Sequence, residues 1–279
     1  MKMKKPQLKV PAILAKLSTK SKPKPVFNQP VSLQKTYKIA RALHIALLTL
    51  LVIFATIVVV LKAMTINFIE DNRDTGFEFR SEDQPILMAA LPKMLKTAPA
   101  KLALVAGAIS IFVGIGHMLF VAVDWKEGRK TQAYAFRRNF MFLHFSNSVL
   151  ILFALVSIYV THKSTSHFSE RYINSKAERP SSMDEDGMRY SRGTFDLETW
   201  SCELKVVEGA KMVWEDYGKQ CMIETAGRGM MIPFLIVGWA LCGLSIWIMI
   251  GGRRDADGAR IRTEQAELEM GKMNATDED

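Results

Sequence analysis

Residues 42–61 read ALHIALLTLLVIFATIVVVL. These twenty consecutive positions carry no formal charge. At about 1.5 Å per helical residue they span roughly 30 Å, the hydrocarbon thickness of a bilayer. The stretch is therefore read as a first transmembrane helix. Three further apolar runs follow at 102–123, 141–161 and 230–250. The expected fold class is an all-α membrane protein: a four-transmembrane-helix bundle with a small disulfide-closed outer loop. Its expected segments are a basic tail (1–41), the first helix (42–61), a first outer loop (62–101), the second helix (102–123), a basic connector (124–140), the third helix (141–161), a second outer loop (162–229), the fourth helix (230–250) and a terminal tail (251–279).

Charge assigns the sides. The 279-residue chain carries 37 Lys and Arg against 28 Asp and Glu, a net charge of +9. Residues 1–41 hold eleven of the bases and no acid. The excess thus belongs to one flank, and no nucleic-acid partner is inferred from it. The 124–140 connector is also basic, with Lys126, Arg129, Lys130, Arg137 and Arg138 against Asp124 and Glu127. Arg253 and Arg254 follow the fourth run directly. Basic residues in short flanking segments mark the cytoplasmic side. All three flanks agree on four passes with both termini cytoplasmic, in the plasma membrane or a secretory-pathway membrane. No cleavable signal peptide is read at the start of the sequence. Within the tail, Val10, Ile13, Leu14 and Leu17 follow helical spacing among lysines. That pattern suits a foot resting on an anionic cytoplasmic leaflet. A solvated tail and a mitochondrial presequence are the other readings.

The long loops carry less regular signals. Residues 85–96 (PILMAALPKMLK) read as a short interfacial helix broken at Pro92, and residues 162–193 as polar and irregular. From Thr194 onward, Trp200, Trp214 and Tyr217 are interleaved with Leu204, Val206, Val207 and Val213, enough apolar surface for a small packed lid. Cys202 and Cys221 enclose eighteen residues of this lid. In an outer compartment they are expected to form a disulfide contributing about 3 kcal/mol. Cys242 reads as a packing thiol inside the fourth helix. The acidic run Asp184–Asp186 lacks the ligand spacing of a calcium loop, and the two cysteines lack companions for a zinc site. No metal or cofactor is expected. Asn274-Ala275-Thr276 is a glycosylation sequon that this topology leaves unmodified on the cytoplasmic side.

Inside the membrane, Ala103, Ala106, Gly107, Ser110 and Gly114 put two small-residue ridges on one side of the second helix. Such ridges let helices approach closely. Packing within the bundle and a homo-oligomer face are the two uses considered. Pro233 is placed in the first turn of the fourth helix, where its missing N–H is tolerated. His44, His117 and His144 are ionisable residues at membrane depth, with Asn147 and Ser148 beyond His144. His117, His144 and Asn147 form a candidate polar site in the inner half, either binding an ion or relaying protons, or else simply hydrogen-bonding between helices.

Four passes, both ends inside and a cysteine pair in the second outer loop resemble four-pass proteins of the MARVEL type. The Trp200-Ser201-Cys202 motif, with Cys221-Met222-Ile223-Glu224-Thr225-Ala226-Gly227-Arg228 running into the last helix, resembles fungal four-pass membrane proteins. The resemblance covers about residues 38–252 and implies membrane organisation, sorting or cortical structure, with no catalytic residue. Hydrolase elbows, phosphate loops and zinc-helix motifs are missing from the sequence, so no enzyme is expected. The expected function is an integral membrane organiser. The alternative is a small transporter or proton-coupled carrier using His117, His144 and Asn147.

Overall fold

The structure, a computed structural model, describes residues 34–81, 85–126, 134–177 and 188–250. The tail helix around Val10–Leu17, the acidic run 184–186 and the terminal tail with its sequon lie outside the described residues. Four helices are long and apolar enough to cross a membrane. They are α1 (Gln34–Asp71), α2 (Ala98–Lys126), α3 (Tyr134–Lys163) and α6 (Trp214–Ile250). Between α1 and α2 lies a hairpin of β1 (Gly76–Arg80) and β2 (Pro85–Ala89). Between α3 and α6 lie two short helices, α4 (Glu170–Ala177) and α5 (Leu197–Leu204), and a 3₁₀ turn (Glu208–Val213). The long helices form a ring in which α1 and α3 each pack against both α2 and α6.

The seam between the helices follows a strict step of four and three residues. In α1 the seam positions, all buried, are His44, Leu48, Leu51, Ala55, Val58, Lys62 and Thr65. In α6 they are Tyr217, Gln220, Glu224, Gly227, Met231, Phe234, Gly238, Leu241 and Ser245. In α2 they are Ala103, Gly107, Ser110, Gly114, His117 and Val121, and in α3 His144, Asn147, Ile151, Ala154 and Ile158. This 3.5-residue repeat is the signature of left-handed bundle packing. Large apolar side chains such as Phe112, Leu119, Phe153 and Val160 point outward and are exposed, as a lipid-facing surface requires.

The small ridge of α2 is used within the chain. A Cβ at Gly107 would stand 2.7 Å from Val59 Cγ2, and one at Gly114 would stand 2.7 Å from Val52 Cγ2. Both glycines therefore hold α2 tight against α1. Ala103, Ala106 and Ser110 are wholly buried on the same side. Ser148 and Gly238 make the corresponding close approach between α3 and α6, where a Cβ at Gly238 would meet Ile151 Cδ1 at 3.2 Å.

Two helices are longer than a bilayer's hydrocarbon core is thick. α1 has 38 residues and α6 has 37. At about 1.5 Å per residue each is ~55 Å long, some 25 Å more than a hydrocarbon core. Their extensions, 62–71 and 214–229, carry a cap at the loop end of the bundle. The expected helix limits of 61 and 230 are thus corrected outward. The sequence there turns polar, but the heptad continues through Lys62 and Thr65, and through Gly227, Glu224 and Gln220. Pro233 consequently sits in the interior of α6 rather than in its first turn. There it removes one helical hydrogen bond, leaving the Gly229 carbonyl without its usual donor.

The cap corrects two other expectations. Residues 85–89 form a strand, not an interfacial helix, so the fold is not purely helical. Phe77 pairs with Met88 and Phe79 with Ile86, and all four are buried. The period of two, rather than 3.6, selects the strand. The lid is not built from the second loop alone either. The 188–196 segment runs beside the first loop, with the Met188 N–H donating to the Leu87 carbonyl at 2.8 Å and the Lys93 N–H to the Tyr190 carbonyl at 2.8 Å. One core joins Phe77, Phe79 and Met88 to Tyr190, Phe195, Trp200 and Tyr217. Trp200 sits at its centre, edge-on to Phe168, Tyr190 and Phe195. The Trp200 indole N–H (2.9 Å) and the Tyr217 hydroxyl (2.5 Å) both donate to the Ala90 carbonyl, tying the second loop and α6 to the first loop. Val206 stays 68% exposed, outside this core. The chain turns into α5 through Gly193, whose φ of +83° suits a residue without a side chain.

Replacing Gly107 with Leu should lower stability by about 1–3 kcal/mol or more, because Val59 and the Ala55 carbonyl leave no room for a side chain. Gly116, which faces open space, serves as the control. Gly116→Ala should be neutral or gain up to ~1 kcal/mol of helix propensity. Thermal unfolding of both variants in detergent measures the difference.

Candidate functional site

Among the described residues, buried polar side chains gather at the two ends of the seam and at the corner where α3 meets the cap. At the terminal end, the structure brings His117, His144 and Asn147 into one buried cluster. His117 Nδ1 lies 2.8 Å from His144 Nε2. His44 joins them, its ring edge-on to His117 at 5.2 Å and its Nε2 3.5 Å from Ser245 Oγ. The Ser110 hydroxyl lies 3.0 Å from Asn147 Oδ1, and the Ser148 hydroxyl donates to the Gly238 carbonyl at 2.9 Å. Phe140 lies against His117 with ring centroids 4.1 Å apart. His117 is 3% exposed and His144 is 1% exposed. Packed this closely, the cluster cross-links all four helices through hydrogen bonds and ring contacts.

At the other end of the seam, Lys62 of α1 donates to Glu224 Oε2 of α6 at 2.7 Å. Both side chains are buried, at 3% and 8% exposure. The other carboxylate oxygen accepts from the Thr65 hydroxyl and, at 3.2 Å, from the Gln220 amide. Gly227 makes room for the lysine, since a Cβ there would stand 3.2 Å from both Lys62 Cε and Nζ. Every polar atom of the Glu224 carboxylate thus has a partner, the condition under which a buried charge is tolerated. Reading the sequence by hydropathy missed this pair because the apolar run ends at Leu61. The four–three step running on through Lys62 and Thr65 was the signal for it.

At the corner, His162 lies in the last turn of α3 and α5 begins after Asp196. His162 Nδ1 lies 2.9 Å from Asp196 Oδ2 and 3.7 Å from Glu198 Oε2. Glu198 Oε1 accepts from Arg228 of α6 at 2.8 Å and from the Thr225 hydroxyl at 3.1 Å. Asp196 Oδ1 accepts the Thr199 N–H at 3.3 Å and so caps α5. Burial works to raise the Asp196 carboxyl, but the Thr199 and His162 hydrogen bonds, with the His162 charge, prevail and hold it below the usual carboxylate range. Arg228 also lies over the Tyr159 ring, 5.5 Å from its centroid. The corner opens on a cleft of about 720 Å³. His162, Asp196 and Glu198 were missed as a group because 34 residues separate the first two.

Cys202 of α5 and Cys221 of α6 are joined by a disulfide, with Cα atoms 4.9 Å apart. It fastens the cap to the extension of α6, one turn from Glu224. Cys242 is a buried free thiol within α6.

Lys62→Met should cost about 3–5 kcal/mol by leaving Glu224 buried with its charge unpaired. The double variant Lys62→Met/Glu224→Gln should recover part of that loss, since Gln retains acceptors and donors for Thr65 and Gln220. A double-mutant cycle on thermal unfolding checks the coupling. In the non-reduced, unfolded protein, thiol reagents should label Cys242 alone, with mass spectrometry giving one adduct per chain.

No family model, no curated protein and no solved structure matches the chain.

Proposed function

We propose that the chain is a four-pass integral membrane organiser that displays a rigid cap on the outer side of the membrane and keeps both termini in the cytoplasm. The observation that carries this reading is structural continuity. The cap is not tethered by flexible linkers. It is built on the same two helices, α1 and α6, that cross the bilayer, and the Lys62–Glu224 pair fixes those helices where they leave it. A scaffold needs such a fixed platform for lateral partners. The basic composition of residues 1–41 and 124–140 supports the orientation, because in sequence both adjoin the helix ends opposite the cap. The tail's lysines suit an anionic leaflet at that face. This orientation also places the Cys202–Cys221 disulfide in an oxidising compartment.

The carrier alternative needs a wetted path to the His117–His144 pair. Their dry packing against Phe140 and one another speaks for a role in helix cross-linking instead. The small ridge of α2 is filled by α1, so lateral association of copies has to use the cap or the lipid-facing side.

In cells, tagged protein is expected in slowly exchanging lateral patches, read by recovery after photobleaching. Cys202→Ser/Cys221→Ser, which loosens the cap, should disperse them. Reconstitution in liposomes tests the alternative. Proton or solute flux that falls in His144→Leu, together with free monomeric diffusion in cells, would overturn the organising role in favour of transport. Impermeant labelling of a cysteine placed at Val206 from the cytoplasmic side would overturn the orientation.

A further inference from the structure

The corner cluster holds three donor groups drawn from two separate places in the chain, the last turn of α3 and the start of α5. The His162 nitrogen and one oxygen each of Asp196 and Glu198 all lie within 4.8 Å of one another. We propose that His162, Asp196 and Glu198 bind a divalent transition-metal ion, with zinc the ion their donor set matches, and that its fourth position opens to the adjoining cleft. This site stands apart from the organising role and does not depend on it.

Two edges of the cluster can be set against those of the ion, and the third, between Asp196 and Glu198, lies within 4.8 Å. Zinc takes imidazole nitrogen and carboxylate oxygen at about 2.0–2.2 Å, which sets the edges of a tetrahedron at roughly 3.4 Å. The His162–Glu198 edge is 3.7 Å. The His162–Asp196 edge is 2.9 Å and has to widen by about half an ångström to admit the metal. His162 lies in the last turn of α3 and Asp196 only caps a short helix, so a shift of that size is local.

The two carboxylates are also divided in their work. One oxygen of each is already engaged, Asp196 Oδ1 by the Thr199 N–H and Glu198 Oε1 by Arg228 and Thr225. Those bonds aim the remaining oxygens, Oδ2 and Oε2, at His162. Such outer-shell partners are what orient ligands in metal sites. The Glu198 side chain is only 7% exposed, so its free oxygen faces the cluster rather than bulk water. Two carboxylates neutralise the dication, and Arg228 leaves one net positive charge. The fourth ligand is therefore water, hydroxide or a small anion entering from the cleft lined by Lys163, His167 and Glu203. The competing occupant is a proton on His162, which would hold the same three groups as an ion triad.

Zinc titration of the full chain in detergent, after chelator stripping and against a competing chromophoric chelator, separates the two. The expected result is one zinc per chain. Glu198→Gln and Asp196→Asn keep the oxygens that serve Arg228 and the α5 cap but lose the metal-facing ones. These variants and His162→Gln should each weaken binding by more than the ~10–100-fold that loss of an outer-shell partner costs. Glu215→Gln, in the exposed pair with Lys219 far from the corner, should leave affinity unchanged. X-ray absorption of the zinc-loaded protein should show one imidazole among oxygen ligands. Melting temperature without metal and retention of the disulfide report folding of each variant. Where a variant fails to fold, the wild-type stoichiometry and spectrum decide. Failure to bind zinc stoichiometrically, unchanged affinity in folded His162→Gln, or a spectrum with two or more imidazoles (which moves the ion to the His44–His117–His144 cluster) would overturn the proposal.

Discussion

A lysine and a glutamate buried against each other govern this architecture. Lys62 and Glu224 meet where α1 and α6 pass from the bundle into the cap. Desolvating two charges is costly, and their attraction offsets that cost only when the geometry is right and the remaining lone pairs are filled. Thr65, Gln220 and the space above Gly227 supply those conditions. The pair therefore tolerates one alignment of α1 on α6. At the far end of the same seam His44 faces Ser245. The apolar layers between them, Leu48 to Val58 against Met231 to Leu241, would accept a slip of one heptad. The polar ends do not, in the manner of buried polar residues that set coiled-coil register.

The cap depends on that alignment. Its core takes Phe68 and Ile69 from α1 and Tyr217 from α6 as partners for the hairpin and the 188–204 segment. Trp200 and Tyr217 reach the same carbonyl, Ala90, from different elements, so the first loop cannot be repositioned without breaking both bonds. The disulfide then fastens α5 to α6 on the same stretch that carries Glu224. Membrane and cap segments thus share residues within single helices, and the division into loops and spans is one of hydropathy rather than of folding units.

The four spans were legible because a long uncharged run has few soluble explanations, and the stripe Ala103–Gly114 showed which face of α2 would be approached closely. His117 and His144 were found together because they share a depth, which rise per residue gives directly, and Asn147 lies just beyond His144. The limits of α1 and α6 were not legible from composition. Residues such as Lys62, Glu224 and Gln220 look like loop residues when their charge is counted and like core residues only when their spacing is. The hairpin was obscured by Met88, Leu91 and Met94, whose content suits a helix, while the alternation of Phe77 and Phe79 that pairs with Ile86 and Met88 lies in a short stretch flanked by charges. The His162–Asp196–Glu198 corner required the tertiary fold, since the last helical turn of α3 and the cap of α5 meet only after the two loops have packed together.

Set in a bilayer, the protruding helices would make the chain responsive to membrane thickness. From His44 to Lys62 the seam has a set length, and the charged pair at its end is covered by the cap and cannot sink into lipid without desolvating the residues around it. A thicker bilayer has to thin around the protein, and a thinner one leaves the upper apolar turns to be shielded by tilt; each ångström of mismatch costs a fraction of a kcal/mol. In a membrane of uneven thickness, a chain inserted in this way would favour regions whose lipid matches its helices.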